Sequence, residues 1–270
     1  MIRPCKSPWV QRGFRAYNRR LLQRSFHHLY LDGDLTALRG DGETPLLLCV
    51  NHSSWWDLLI GLYLDELLPE WDSYAPMDAR QLQRYRFFSR LGVIGVDRTS
   101  LQGAREFVGY CQELLAGAAR ALWITPQGEF TSNSVRPIRF QPGIGSIAQA
   151  LNAFYVSTVV FDYAFWSEKR PEAFISVRPL EYVKVDADFD RRAFVSALER
   201  KMEAHLDALT VLRDRRDPAR LTPLLSSPGV ISPLYDAART LTARLRGERV
   251  ARSHGEVVTP PWSAMKRREP

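Results

Sequence analysis

The stretch "LLLCVNHSSWWDLLIGL", residues 46 to 62, decides how the chain reads. Five apolar residues stop abruptly at Asn51 and His52, and a second apolar run resumes only after Asp57. The first run, with Pro45 before it, has the length of a strand, and the segment from 54 to 68 is long enough for a helix that Pro69 stops. Outward from this unit the same alternation continues. "SYAPM" (73 to 77), "VIGV" (93 to 96), "ALWIT" (121 to 125) and "YVSTVVFDYAF" (155 to 165) read as strands. Residues 80 to 92, 101 to 119 and "GIGSIAQALN" (143 to 152) read as helices between them. "EAFISVRPLEYV" (172 to 183) reads as a further strand or pair. Residues 187 to 214 read as a long charged helix, with Phe194, Leu198, Met202, Leu206 and Leu209 at helical spacing. Strands alternating with helices predict an α/β fold with a largely parallel, helix-flanked sheet.

At 270 residues, 45% hydrophobic and 25% charged, the chain has material for one sizeable core and a small appendage. Cys5, Cys49 and Cys111 are widely spaced and form no C-x-x-C pair, so neither a disulfide framework nor a cysteine zinc site is expected, and a reducing cytosol suits them. The formal net charge of +7 has one source. Residues 1 to 30 hold Arg3, Lys6, Arg12, Arg15, Arg19, Arg20 and Arg24 with no acidic residue, while the other 30 basic residues balance the 30 acidic ones. Trp9, Val10, Phe14, Tyr17, Leu21, Leu22, Phe26 and Leu29 lie among these arginines, mostly at steps of three or four, as on one face of a helix. Residues 1 to 35 therefore read as a basic amphipathic helix. Such a helix lies in a membrane interface, or packs on its own domain with its basic face in water. No apolar core of a signal peptide follows the charges, and no base-reading motif accompanies them, so nucleic acid is not expected. The uncharged stretch from 143 to 161 is broken by Gln149, Asn152, Ser157 and Thr158, which argues against a membrane span. Residues 36 to 215 form the expected domain and 216 to 270 a turn-rich extension.

In an open α/β sheet, reactive groups gather beyond the carboxyl ends of strands, where Asn51 and His52 fall. On one continuous helix, His52 would point about 140° away from Asp57. The two meet only if His52 lies in the turn before the helix and Asp57 in its first turns, with Ser53 or Ser54 as N-cap. Asp57 would then hold one imidazole nitrogen and leave the other to take a proton from a hydroxyl. Arg98 follows a short strand, where a guanidinium holds a phosphate by a bidentate fork or, more plainly, pairs with Asp97 or Glu106. Gly128 follows "ALWIT", where the missing side chain lets backbone N–H groups approach an anion or oxyanion, or simply turns the chain after Pro126. Tyr17, Trp55 and Trp56 line an acyl channel or belong to the core.

These segments resemble, in order, the motifs of the glycerolipid (lysophospholipid) acyltransferase family. Asn51, His52 and Asp57 match its N-H-x-x-x-x-D as they stand. "GVIGVDR" (92 to 98) is similar to its second motif, with Gly95 where an aromatic is more usual. "TPQGEFT" (125 to 131) resembles its third, commonly F-P-E-G-T-R, and keeps Pro126 and Gly128. "FQPGIGSIAQAL" (140 to 151) resembles the F-K-x-G segment, and "FYVSTVVF" (154 to 161) occupies the fourth motif's strand. The resemblance spans residues 40 to 185. It implies an O-acyltransferase that moves a fatty acyl group from acyl-CoA or acyl-ACP to a lysophospholipid hydroxyl such as that of 1-acylglycerol-3-phosphate. His52 is then the catalytic base and Asp57 its orienter. Arg98 binds the acceptor's phosphate, with Asn51, Gln127, Gly128 and Glu129 around the substrate. No metal and no cofactor beyond the thioester is implied, and the partners are membrane lipids at the cytoplasmic face, with an acyl carrier protein as a further one.

The third motif departs from the family's pattern. Gln127 replaces Glu, Glu129 replaces Thr and Phe130 replaces Arg. Glu129 is placed to supply the displaced carboxylate, and Arg136 or Arg139 a second phosphate contact. A less charged acceptor, a glycolipid or carotenoid glycoside, is the alternative. Two other readings remain open: a metal-assisted hydrolase with His52 and Asp57 as ligands, which lacks an H-E-x-x-H pattern, and a silent lipid-binding protein that keeps the fold.

Overall fold

The computed structural model describes residues 1 to 227. Nine strands form one sheet, in the order β4-β3-β5-β2-β6-β7-β1-β9, with β8 pairing to β6. The strands are β1 (His28–Asp32), β2 (Leu46–Val50), β3 (Asp72–Asp78), β4 (Val93–Val96) and β5 (Arg120–Ile124), followed by β6 (Ala153–Ala164), β7 (Glu172–Val177), β8 (Glu181–Lys184) and β9 (Thr222–Ser226). From β4 to β6 every pairing is parallel, as the alternation of strands and helices predicts. Beyond β6 the sheet turns mixed: β7 and β8 run antiparallel to β6, β1 is parallel to β7, and β9 closes the edge antiparallel to β1. β7 and β8 follow one another along β6, and at the break between them Ser157 Oγ donates to the Arg178 carbonyl at 2.6 Å.

The six helices are α1 (Pro8–Ser25), α2 (Trp56–Glu66), α3 (Ala79–Arg84), α4 (Leu101–Leu115), α5 (Gly143–Gln149) and α6 (Arg191–Asp214). They cover both faces of the sheet, and β2 shows why its sequence is apolar throughout. Leu47 and Cys49 face the layer with Phe107, Ile144, Ile147, Leu198 and Met202, whereas Leu46, Leu48 and Val50 face Leu22, Ile60 and Leu64. A central parallel strand buried on both faces has no polar side to offer.

Three expectations are corrected. The N-terminal helix stops at Ser25 rather than reaching residue 35, because the extended backbone at Phe26 ends it and His28–Asp32 pairs with β7 inside the sheet. The expected helix over 80 to 92 is divided at Tyr85: α3 ends there, and Arg86–Leu91 is a 3-10 turn that Gly92 terminates. The turn-rich segment after 216 contributes β9; the rest of the expected extension, from 228 on, lies outside the described residues.

The direction in which α1 faces settles how it packs. Phe14, Leu21 and Leu22 point inward, and the buried Asn18 donates from Nδ2 to the Leu59 carbonyl of α2 at 2.8 Å. The helix therefore docks on its own domain. Trp9 and Tyr17, read from spacing as part of the same apolar face, are 79% and 58% exposed. Among the described residues no helix is long and apolar enough to cross a membrane.

On the opposite face, α6 is bolted to the sheet by His205. Its Nδ1 lies 2.8 Å from Thr158 Oγ1 and its Nε2 2.8 Å from Ser176 Oγ, which in turn donates to Asp32 Oδ2 at 2.6 Å. Burial, and secondarily the Arg178 charge, hold this imidazole down to about 3, well below the ordinary histidine value of 6.5. The folded state therefore refuses a proton that the unfolded chain accepts. The stability His205 confers is complete above pH 6.5 and falls as the pH drops toward 3, by on the order of 3 kcal/mol at pH 4. Thermal melts of wild type and His205→Gln at pH 7 and pH 4.5 test this: the wild type is expected to lose more of its Tm on acidification than the variant does.

Candidate active site

β2 ends at Val50, where its pairing with β6 closes at Val50↔Val159. Asn51 continues that ladder with its side chain. Its Oδ1 accepts from Phe161 N at 2.7 Å and its Nδ2 donates to the Phe161 carbonyl at 2.9 Å and to Asn133 Oδ1 at 2.8 Å. Asn51 is buried with these bonds made and holds the start of the turn against β6.

His52 follows in the turn and Asp57 in the first turn of α2, the one arrangement that lets the pair meet. His52 Nδ1 and Asp57 Oδ2 are 3.0 Å apart. The same carboxylate oxygen accepts from the backbone N–H groups of Ser53 and Ser54, both at 2.8 Å, and Tyr163 of β6 donates its hydroxyl to Oδ1 at 2.6 Å. The expected capping thus runs the other way: Asp57 reaches back to the serine amides, while Ser54 Oγ accepts only from Trp56 N. Asp57 is 3% exposed. Removing a carboxylate from water costs several kcal/mol. Four donors, each contributing roughly 1.5–3 kcal/mol to a charged acceptor, offset that cost. Burial and the neighbouring Asp57 charge raise the Tyr163 hydroxyl well above its usual 10, so it remains a donor. With Asp57 as acceptor, the imidazole proton resides on Nδ1 and the Nε2 lone pair is left open. Nε2 has no partner among the described residues.

The segment after β5 grips the backbone of the same histidine. Gln127 Oε1 accepts from His52 N at 2.7 Å, and Thr131 N donates to the His52 carbonyl at 2.7 Å. Gln127 is buried. It needs an acceptor oxygen here, which an amide supplies as well as a carboxylate, and its contact is with the protein.

Gly128 has φ +82°, a conformation that side chains strain, and its N–H closes a turn onto the Thr125 carbonyl at 3.0 Å. The next two N–H groups, of Glu129 and Phe130, have no partner among the described residues. A Cβ on Gly128 would stand 3.2 Å from Arg98 Nη2, so the bare backbone admits the guanidinium. Arg98 is exposed and forms no ion pair among the described residues. Asp97 is occupied by Thr99 and Ser100, which hold its carboxyl down at about 2, and Glu106 by Gln102 and the N-terminal amine. Glu129 is exposed. The Phe130 ring, 59% exposed, lies 4.2 Å from the His52 ring.

Arg136 and Arg139 do not reach this site. Arg136 pairs with Asp207 and donates to the carbonyls of Asn133 and Val135 at 2.8 Å, and Arg139 faces Glu199 of α6 at 3.5 Å. Tyr163 and Asn133 were not legible beforehand. Both act from remote segments, and only alternation along β6, which puts Tyr163 on the face toward α2, hints at the first. Trp56 packs on Phe26 at 5.0 Å in the core, whereas Trp55 is exposed beside it.

Gly95 also has a reason. Ile2 forms an antiparallel bridge with it across the exposed edge of β4, and a Cβ on Gly95 would come within 2.8 Å of the Ile2 Cβ. A glycine replaces the usual aromatic because the N-terminus covers this edge.

The search of curated proteins found no match. Among solved structures, the chain is similar to PlsC from Thermotoga maritima, a 1-acyl-sn-glycerophosphate (LPA) acyltransferase, with TM-score 0.53 and 12% identity over 75% of this chain and 80% of that one. That likeness covers the fold. The acyltransferase family model matches residues 17 to 162, which run from within α1 into β6 and include His52, Asp57, Arg98 and the Gly128 turn. Over half of the sequence, with His52, Asp57 and the turns that hold them, thus falls within one family, and the chain is a member of it: an acyltransferase.

Proposed function

We propose that this acyltransferase moves a fatty acyl group from an acyl thioester to a hydroxyl of a lysophospholipid such as 1-acylglycerol-3-phosphate. The observation that carries the proposal is the 3.0 Å contact of His52 Nδ1 with the buried Asp57 carboxylate, itself held by the Ser53 and Ser54 amides and the Tyr163 hydroxyl, which leaves Nε2 to act as a base. His52 takes the acceptor hydroxyl proton as the oxygen attacks the thioester carbonyl. The free N–H groups of Glu129 and Phe130 are available to the oxyanion as the tetrahedral centre forms. Collapse expels the thiol, which recovers the proton from His52. The unpaired Arg98 guanidinium beside Gly128 suits the acceptor's phosphate. A second reading, a less charged glycolipid or carotenoid glycoside acceptor, draws on Phe130, which puts an apolar ring beside the base where the family more often has a cation.

Membrane lipids are the proposed partner of α1, at the cytoplasmic face. Arg12, Arg15, Arg19, Arg20 and Gln23 line an open depression of about 480 Å³ with Glu66, and none of these arginines is in an ion pair among the described residues. Trp9 and Tyr17 stand out beside them. Head groups would meet the arginines and acyl chains the rings. An acidic acyl carrier protein is a further partner this charge would attract, with acyl-CoA the other donor.

Acyl transfer from a labelled acyl thioester, offered on CoA and on acyl carrier protein, tests the mechanism. His52→Ala is expected to lower kcat on the order of a thousandfold. Tyr163→Phe, which removes one of the four donors, is expected to lower kcat about tenfold with little change in KM. No transfer by wild type to any lysolipid or glycolipid would leave the lipid-binding reading in its place.

Arg98→Gln separates the acceptor readings. With a phosphate-bearing acceptor, KM should rise about tenfold, the loss of roughly 1.4 kcal/mol of ionic contact. An unchanged KM, with better turnover of glycolipids, would favour the uncharged acceptor.

Sedimentation with phosphatidylglycerol vesicles tests the lipid surface. The Trp9→Ala, Arg12→Ala variant should bind about tenfold more weakly, and added salt should weaken wild type toward it.

A further inference from the structure

Away from the histidine site, the junction of α1 and β1 brings together two imidazoles and a carboxylate that the acyl-transfer chemistry does not use. His27 and His28 lie between the end of α1 and the first pairs of β1, and Glu172 begins β7, one residue before the Leu29↔Ala173 pair. We infer that His27, His28 and Glu172 form a site for a divalent transition-metal ion such as zinc.

The argument begins with an unsatisfied count. His27 Nδ1 is 3.0 Å from His28 Nδ1 and 3.4 Å from Glu172 Oε1. An imidazole nitrogen carries either one proton or one lone pair, so a single Nδ1 serves one of these partners well and not both. A metal ion between them removes the conflict, because each nitrogen then offers a lone pair and the carboxylate an oxygen. The spacing fits that use. Metal–ligand bonds of about 2.0–2.1 Å in a tetrahedral zinc site place neighbouring ligand atoms roughly 3.3 Å apart. The edges of 3.0 and 3.4 Å bracket this value, and all three ligand atoms lie within 4.8 Å of one another.

The surroundings are those of a held ligand set. Glu172 is 2% exposed and His27 is buried, so the carboxylate is withdrawn from water at an electrostatic cost that a cation offsets. The two Glu172 oxygens have separate work: Oε2 accepts from Trp166 N at 3.0 Å, which leaves Oε1 toward His27. Backbone bonds fix the histidine, with His27 N donating to the Pro171 carbonyl at 2.9 Å and Ser227 N donating to the His27 carbonyl at 2.8 Å. The ring of His28 stacks on Tyr30 at 4.9 Å, which sets its direction. Arg170 donates to the carbonyls of Gln23 and Arg24 at the end of α1, and its charge and that of Glu168 both act on His28 with opposite sign. Two imidazoles and one carboxylate make a borderline donor set that suits zinc better than calcium or magnesium, with water to complete four. The role is structural. The ion ties the end of α1 and the start of β1 to β7 and leaves His52 untouched.

The test uses the untagged full-length chain, stripped with a chelator. It is titrated with zinc against a chromophoric competitor and with cobalt for its visible absorption, and melted with and without zinc. One equivalent should bind to wild type and equally to His52→Ala. His28→Asn and Glu172→Gln should each weaken binding about 100-fold and remove a zinc-dependent rise in Tm of about 4 °C. His28→Asn, at the half-buried ligand, is the variant expected to keep the apo Tm, and it carries the test if Glu172→Gln fails to fold. No uptake by wild type, uptake equal in all variants, or uptake lost in His52→Ala would each overturn the site.

Discussion

A carboxylate taken out of water dictates much of this molecule. Asp57 is 3% exposed, and four donors converge on it from three places: the histidine ring, the two serine amides of the turn, and the Tyr163 hydroxyl on the neighbouring strand. Each donor constrains something else. The amides fix the turn between β2 and α2, the tyrosine fixes α2 against β6, and the ring has its tautomer chosen for it. The backbone of His52 is gripped independently, through its N–H by Gln127 and through its carbonyl by Thr131. His52 is thus located by two sets of bonds that share no atom, as the proposed role of a pre-organised base requires.

The grip also accounts for the departures in the third motif. At position 127 the fold asks for an oxygen that accepts from His52 N, and glutamine provides it without a negative charge beside the base. The family's charge at this position is therefore separable from its structural work. Phe130 lies beside the imidazole and Arg98, without an ion pair among the described residues, stands at Gly128, so apolar and cationic groups reach the site from different segments. The altered residues leave intact what holds His52.

Legibility followed the range of the forces involved. The central strands were readable because burial on both faces leaves only apolar residues, and Pro69 and Gly92 punctuate their neighbours. β1 was hidden because Phe26 and Leu29 continue the three-and-four spacing of α1 past its end, so a strand was read as helix. β9 was hidden because it is a short edge strand with Pro223 in a proline- and serine-rich stretch. At the site, His52, Asp57, Arg98 and Gly128 lie where their own local sequence suggested. A motif records which residues recur and not which way they face, so the bonds of Asn51 to Phe161 and of Gln127 to His52 N are visible only in the fold. Tyr163 and Asn133 had no local signal at all, since their partners lie 106 and 82 residues away in the chain.

The N-terminal helix shows that the two readings of an amphipathic basic segment need not compete. Phe14, Asn18, Leu21 and Leu22 spend one face on the domain, which leaves Trp9, Tyr17 and the arginines for whatever lies outside. Docking supplies what a free interfacial helix lacks, a fixed direction for its outer face. It also sets that face relative to the base: Asn18 is bonded to Leu59 in α2, and two residues before Leu59 stands Asp57. On the proposed membrane reading, the surface that meets head groups and the carboxylate that orients His52 belong to one packed helix pair. The distance and tilt of the reactive nitrogen above a bilayer would then be set by packing within the protein, with no hinge between the two.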